Sequence, residues 1–294
     1  MGGSVTVRAR AFAKINLSLR VLGTRADGYH DLRTIFQSIA LHDTLTIRAQ
    51  RGPFHLTCDD PRCPDDNANL IWRAAERVWR AAGRRGAPRD VTVDLKKRIP
   101  MQAGLGGGSS DAAAALRAFA RLWRVDEARV RAIAGELGAD VPYFFEGGTV
   151  LGLERGDQLF PLLDRPSVWV VLVLPDFGVS TKEAFGLWDA SQMHAKDTEG
   201  GTNNTKDTKE TRNDLEPVVS AQYPEIALVV RALRKAGASH AAMTGSGSTV
   251  FGLFRSERAA ARAARAVGTP AEKTLITTTI DRKRYGRASL PTSG

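Results

Sequence analysis

Residues 100–111, PMQAGLGGGSSD, constrain this chain more than any other stretch. Gly104, Gly106, Gly107 and Gly108 fill four of five consecutive positions, with Leu105 between the first two. A run so poor in side chains lets backbone N–H groups turn inward and approach a ligand closely. The residues after it, about 110–123, carry an apolar stripe of Leu116, Phe119, Ala120 and Trp123, the spacing of an amphipathic helix. A helix N-terminus adds unpaired donors and the positive end of the helix dipole. Loop and helix together form an anion cradle, and phosphate is its usual occupant. Pro100 opens the loop, and Ser109 and Ser110 offer hydroxyls to phosphate oxygens or to Mg²⁺. No Gly-Lys-Ser/Thr follows, so this is not a Walker A loop. No acidic residue ends a second strand at the distance a dinucleotide fingerprint requires.

The flanking patterns place the cradle in a mixed fold. Residues 11–21 alternate: Ala11, Ala13, Ile15, Leu17, Leu19 and Val21 on one face, Phe12, Lys14, Asn16, Ser18 and Arg20 on the other. Strands are expected near 34–39, 44–49 and 91–95, with helices at about 69–82, capped by Asn69 and closed by Gly83, and at 126–138. Asp140-Val-Pro142 reads as a capped helix start. The second half reads strand 168–174, helices 181–189, 214–221 and 224–236 with Gly237 behind the last, strands 240–244 and 249–254, helix 256–267 and strand 273–280. Such mixing without a strict β-α-β rhythm indicates an α+β fold. At 294 residues, two domains are expected, divided at the turn-rich 150–165 into 1–155 and 156–294. Residues 195–212 contain nothing more apolar than alanine and read as a flexible surface insertion.

Composition narrows the class. With 43% hydrophobic and 25% charged residues the chain is ordinary and globular. The longest aliphatic run, 168–174, is too short to span a bilayer, and no apolar leader opens the sequence, so a cytoplasmic protein without a membrane partner is expected. A net charge of +10 attracts anions. The basic residues are scattered singly on helices rather than interleaved with aromatics, which argues against nucleic acid. Cys58 and Cys63 are too few for a disulfide framework or a four-ligand zinc site, and no protein metal site is expected.

A second Gly/Ser loop, MTGSGST at 243–249, lies between two short apolar runs. A hairpin turn explains it as well as a ligand does; beside a first phosphate loop, Gly245, Ser246 and Gly247 become a candidate second cradle. Lys14 and Asn16 share a strand face that could simply be solvated, and Asp140 could be only a cap.

Taken in order, Ala13-Lys14-Ile15-Asn16-Leu17, RADGYH at 25–30, the loop at 100–111, Gly138-Ala139-Asp140-Val141-Pro142 and Met243 to Gly247 resemble the GHMP kinase superfamily over nearly the whole chain. The resemblance implies a ribosomal-protein-like N-terminal domain that binds ATP, a ferredoxin-like C-terminal domain that binds substrate, and a cleft between them. It implies ATP, with Mg²⁺, as phosphoryl donor and a small-molecule acceptor, in a monomer or weak homodimer. RADGYH and the Lys14/Asn16 pair most resemble members that phosphorylate the 2-hydroxyl of a diphosphocytidyl-methylerythritol in non-mevalonate isoprenoid synthesis. By that likeness Tyr29 and His30 contact the cytosine end, Asn16, Thr181 and Phe185 line the substrate site, and Phe36 is an aromatic neighbour. Phosphoryl transfer needs positioning and charge neutralisation more than covalent catalysis. Lys14 then supplies a point charge near the reacting centre, and Asp140 orients the acceptor hydroxyl and takes its proton. The rivals are a homoserine or mevalonate kinase, which lacks a reason for RADGYH, and a nucleic-acid-binding protein.

Overall fold

The alternating segment is part of a much longer strand. β1 spans Thr6–Thr24 and folds back through an Arg25–Tyr29 turn onto β2, His30–Pro53. The turn closes with Arg25 N–H donating to the Tyr29 carbonyl at 2.7 Å, and Gly28 takes φ +81°. The expected strands at 34–39 and 44–49 are pieces of this one β2. The chain continues with β3 (His55–Cys58), α1 (Leu70–Ala81), β4 (Arg89–Lys96), α2 (Gly107–Trp123), α3 (Glu127–Leu137), α4 (Tyr143–Glu146), β5 (Thr149–Glu154) and β6 (Gln158–Pro161). Next come β7 (Trp169–Leu174), α5 (Thr181–Asp197), α6 (Glu216–Gln222), α7 (Pro224–Lys235), β8 (His240–Met243) and β9 (Val250–Phe254). It ends with α8 (Glu257–Val267), β10 (Lys273–Thr278), α9 (Arg282–Ser289) and β11 (Thr292–Ser293). This computed structural model describes residues 6–197, 212–267 and 273–293. Most of the 195–212 insertion therefore lies outside the described residues. Its edges do not: 195–197 complete α5, and the Arg212 carbonyl accepts the Leu19 N–H at 2.8 Å.

Two sheets organise the molecule. The first runs β11-β1-β2-β4-β3, with β5 on β2 and β6 on β5; the second runs β10-β7-β9-β8. Local chemistry sets several helix ends as the sequence suggested. Asn69 accepts the Ile71 N–H at 2.9 Å, Asp126 accepts that of Arg129, and Gly83 and Gly237 follow their helices with positive φ. α4 differs: it begins at Tyr143 behind Pro142, and Asp140 sits in the preceding turn rather than at its cap.

β1 joins the halves because its odd-numbered residues enter three cores. Val7, Ala9 and Ala11 pack with α1, α2 and α3, where Phe54, Trp79, Phe119 and Trp123 are buried. Ala13 and Ile15 meet Val170, Leu172 and Phe251 of the second sheet. Leu19 and Val21 join Val171, Val173 and the α5–α8 side chains. β7 is thus buried on both faces, which is why 168–174 is a continuous apolar run. Three register shifts, at Phe12/Lys14, Asn16/Ser18 and Val21/Gly23, bend β1 between these cores.

The first sheet does not end at 155. The β5–β6 hairpin carries it to Pro161, and the chain's tail returns to it as α9 and β11. Neither was legible in the periodicity. β6 is a short edge strand with one partner, and α9, RKRYGRAS, is basic on all sides but one. Tyr285 is that side: it is buried against Phe12, with ring centroids 5.5 Å apart, and its hydroxyl donates to the Phe144 carbonyl at 2.7 Å. No described helix is long and apolar enough to cross a membrane.

Because Tyr285 is the fully buried aromatic that packs the tail onto the first half, Tyr285→Ala should cost about 3 to 5 kcal/mol of stability, the range for truncating a fully buried aromatic. Urea unfolding measures it; a loss below about 1 kcal/mol would detach the tail from the first half's core.

Candidate active site

The glycine loop leaves β4, passes under the second Gly/Ser loop and enters α2. Two of its glycines are obligatory. Gly104 and Gly106 both take φ +70°; a Cβ on Gly104 would lie 2.2 Å from the Thr244 carbonyl oxygen, and one on Gly106 2.8 Å from the Phe144 ring. Gly107 and Gly108 already belong to the helix, which starts three residues before the expected Ser110. The N–H groups of Gly107, Gly108 and Ser109 have no helical partners there. Ser110 does not join them: its N–H donates to the Gly106 carbonyl at 2.9 Å and its hydroxyl to the Phe12 carbonyl at 2.7 Å. It pins α2 to β1 instead of facing a ligand.

At Lys14 and Asn16 the even-numbered face of β1 turns toward the loops, whereas Arg8, Arg10 and Leu22 on the same face are exposed. Lys14 is 4% exposed. Its ammonium donates to Asn16 Oδ1 at 2.8 Å and to the Gly104 carbonyl at 3.0 Å, and pairs with Asp140 Oδ2 at 3.5 Å. Phe36 is buried beneath it, its ring centroid 5.7 Å from Nζ. Asn16 is held in turn, its Nδ2 donating to Thr34 Oγ1 at 2.8 Å. Thr244 Oγ1 accepts the Asn16 N–H at 3.0 Å and shares its own proton between Asn16 Oδ1 and the Gly104 carbonyl, each 3.3 Å away.

Lys14, Asn16, Thr34, Phe36, Gly104 and Asp140 line one cavity of about 1030 Å³, and Thr244 braces them from behind. Pro100, Gly104, Leu105, Gly106, Gly107, Gly108 and Ser109 line it, with Lys14, Asn16 and Asp140 beside them. One end, past the loop, is walled by Cys63, Pro64, Asn69, Leu70 and Lys97. The other end holds Tyr29, His30, Thr181 and Phe185, together with Arg155, Lys182 and Asp189. There the His30 ring stacks on Phe185 at 4.5 Å and bonds Asp189 Oδ1 at 2.8 Å, while Arg155 lies over the 55% exposed Tyr29 ring. Gly245 and Ser246 reach the cavity from the second loop; Gly247 does not, its N–H donating back to the Thr244 carbonyl at 3.0 Å. The structure thus gathers the expected residues around one space, apart from Ser110 and Gly247. Lys97, Arg155 and Thr244 escaped the sequence reading, and Asn69 was legible only as a helix cap. Only Thr244 lay inside a motif already singled out.

The family model for the GHMP kinases N terminal domain matches residues 69–148, and the GHMP kinases C terminal model matches 202–273. The chain is a GHMP kinase. A 4-diphosphocytidyl-2-C-methyl-D-erythritol kinase of Solibacter usitatus (strain Ellin6076) is 45% identical over 94% of this chain and 89% of its own. A crystal structure of 4-(cytidine 5'-diphospho)-2C-methyl-D-erythritol kinase superposes with a TM-score of 0.73 at 33% identity, covering 92% of this chain and 98% of that one. A homoserine kinase from Cytophaga hutchinsonii ATCC 33406 shares the fold, with a TM-score of 0.68 over 100% of this chain and 98% of its own, at only 19% identity. The two-domain α+β architecture expected from the motifs is the GHMP kinase fold.

Behind the glycine loop this kinase buries a charge cluster. The Lys97 ammonium lies 2.5 Å from Asp43 Oδ2 and 2.9 Å from Asp111 Oδ2, and Asp43 also accepts the backbone N–H groups of Arg98 and Ile99. Residues 97–99 lead into the loop and Asp111 follows it, so one ammonium closes the loop's two feet. Burial by itself would push Lys97 down, and the Asp111 and Asp43 charges outweigh it and hold Lys97 up. Burial drives Asp111 well above the usual carboxylate range; Lys97 pulls against this and the Asp43 charge adds to it. Asp111 Oδ1 is buried without a hydrogen-bond partner, which adds to the cost of ionising this carboxyl. Nearby, burial and a hydrogen bond with Cys58 push the Cys63 thiol up to about 12, so Cys63 stays a protonated thiol at neutral pH.

A carboxyl raised on folding adds stability below its unfolded value, about 3.9, and loses that contribution as pH rises through the folded one. Asparagine has no proton to lose. The melting temperature of Asp111→Asn relative to wild type should therefore climb as pH rises above about 4; parallel profiles would mean that folding does not raise the Asp111 carboxyl.

Proposed function

We propose that this kinase transfers the γ-phosphoryl group of ATP to the 2-hydroxyl of 4-diphosphocytidyl-2-C-methyl-D-erythritol, a step in non-mevalonate isoprenoid precursor synthesis. The observation that carries the reading is the placement of Lys14 and Asp140 midway along a single cavity. A backbone cradle for phosphate lies on one side, and an aromatic end built by Tyr29, His30 and Phe185 lies on the other. The half before 155 supplies the ATP cradle, and the half after it closes the acceptor side through Thr181, Phe185 and the second loop. A homoserine or mevalonate acceptor is too small to need an aromatic end so far from the loop.

The loop's N–H groups and the dipole of α2 hold the triphosphate with its γ-phosphorus near Lys14. Lys14 neutralises charge on the transferring group. Its bonds to Asn16, Gly104 and Asp140 hold it in one place, which makes its charge effective without reorganisation. Asp140 accepts the hydrogen bond of the acceptor hydroxyl and aims it in line with the phosphorus. As the oxygen–phosphorus bond forms, the bond to the β-phosphate oxygen breaks, ADP leaves, and the hydroxyl proton passes to Asp140. A carboxylate suffices as base because in a loose transition state the proton departs late, from an oxygen already bonding to phosphorus. The fit to Mg²⁺ rests on the hard oxygen donors at the cradle: the described residues offer no cluster of three metal-ligating side chains, and Mg²⁺ is commonly held by phosphates with one or two protein oxygens. Ser109, which lines the cavity at the cradle, would be the protein oxygen that holds the ion, and the ion would neutralise charge on the phosphates. One chain completes the cleft, so a monomer or a weak homodimer can carry the activity, with small molecules and not nucleic acid as its partners.

Purified protein should phosphorylate the diphosphocytidyl acceptor with ATP and leave homoserine and mevalonate unchanged; turnover of either rival in its place would sink the assignment. Asp140→Asn should lower kcat by about 10²- to 10⁴-fold, the usual loss for a general base, with ATP affinity nearly intact. Near-wild-type turnover would remove Asp140 from the mechanism.

A further inference from the structure

Asn213 lies outside every motif that identified this kinase, directly after the insertion. It is 4% exposed, and its side chain is fully used. Nδ2 donates to two carbonyls, those of Met243 and Gly245, both at 2.8 Å, while Oδ1 accepts the Leu215 N–H at 3.0 Å. The two carbonyls flank Thr244, the residue whose hydroxyl touches Asn16 and Gly104. Asn16 Oδ1 and the Gly104 carbonyl are in turn the two acceptors of the Lys14 ammonium. The loop comes close enough that a Cβ on Gly245 would lie 3.4 Å from Lys14 Nζ.

The backbone around Asn213 is anchored independently of that amide. Leu19 N–H donates to the Arg212 carbonyl and Asp214 N–H to the Leu19 carbonyl, each at 2.8 Å, so the segment pairs in parallel with β1. Asp214 Oδ2 accepts the Val21 N–H at 3.0 Å and Arg20 Nε at 3.2 Å. The carboxamide therefore projects from a fixed strap on the strand that carries Lys14 and Asn16, and grips the second loop on both sides of Thr244.

We propose that Asn213 is a positioning residue for phosphoryl transfer, holding the Met243 and Gly245 carbonyls so that Thr244 sets Asn16 and the Gly104 carbonyl around Lys14. The proposal rests on the reading of Lys14 as the charge at the reacting centre. Asn213 itself touches no substrate. Two N–H donors on one planar group are what two converging carbonyls require, and no other neutral side chain of this size supplies them with an acceptor on the third side.

Asn213→Asp keeps the volume and the acceptor for Leu215 but has no donor for the two carbonyls. It should lower kcat about 10- to 100-fold, as sub-ångström to ångström misplacement of reacting groups does, with the ATP dissociation constant within about threefold of wild type. Thr244→Val should show the same split, and Thr244→Ser should restore most of kcat. The double variant Asn213→Asp/Thr244→Val should be no slower than the worse single one, because both act through one hydroxyl. Should Asn213→Asp fail to fold, Thr244→Val alone decides: wild-type kcat in it overturns the proposal. So do wild-type kcat in Asn213→Asp, multiplicative losses in the double variant, or ATP affinity that falls in step with kcat. A wild-type protein inactive on the diphosphocytidyl acceptor would overturn the assigned reaction instead, and the same comparison then runs on whichever acceptor it phosphorylates.

Discussion

An ammonium ion almost removed from water has to be surrounded by oxygen, and Lys14 imposes that requirement on the centre of this molecule. Its surroundings come from distant parts of the chain: Asn16 two residues along the same strand, the Gly104 carbonyl from the phosphate loop, and Asp140 from the turn after α3. A buried charge left without such partners costs several kcal/mol. Loop, turn and strand are therefore held in one arrangement before any ligand arrives. That arrangement also leaves Lys14 lining the cavity, so under the proposed reaction the group that organises the site is the one that meets the transferred phosphate.

The glycines follow from the same crowding. Gly104 must bring its carbonyl to Lys14 while its α-carbon passes under the Thr244 carbonyl, and Gly106 must pass between Lys14 and Phe144. Any side chain at either position would push the loop away from the ammonium it partners. Lys97 performs the matching task at the loop's base, where Asp43 and Asp111 hold its two feet against one charge. The phosphate loop is thus tied at its base by one lysine and at its tip by another. A loop so held presents its N–H groups without having to be ordered by the nucleotide, which reduces the entropy cost of binding.

The two halves meet through β1 more than through a linker. One strand contributes to three cores, and the tail of the chain returns to the first sheet after the second is complete. The cleft is consequently not a hinge between independent bodies at the level of its catalytic groups: Thr244 from the second half bonds directly to Asn16 and Gly104 of the first. Rigidity is concentrated there. The aromatic end is more open, with Tyr29 exposed and Asp189 half-exposed beside the His30–Phe185 stack.

By itself the sequence determined what depends on local chemistry. Alternation along 11–21 gave a strand, Asn69 and Asp126 capped helices, and a run of glycines before an amphipathic stretch made an anion cradle, because each of these follows from neighbours a few residues apart. The motifs also carried the family, since phosphate loops need those residue types in that order. What the sequence left undecided was every feature created by approach across the chain. The same alternation that places Lys14 and Asn16 on one face fits a solvated surface as well as a buried centre, and only the second loop folding over them settles it. Ser110 and Gly247 belong to their motifs by position and to the scaffold by geometry, because Phe12 and Thr244 carbonyls claim their donors first. Edge strand β6 and the basic helix α9 have no period to announce them, being held by pairing to β5 and by the buried ring of Tyr285 together with the bonds of Arg282 to Asp164 and Thr149. Asn213 stands in a stretch with no motif, and its place beside Thr244 exists only once residues 19, 213 and 244 are brought together.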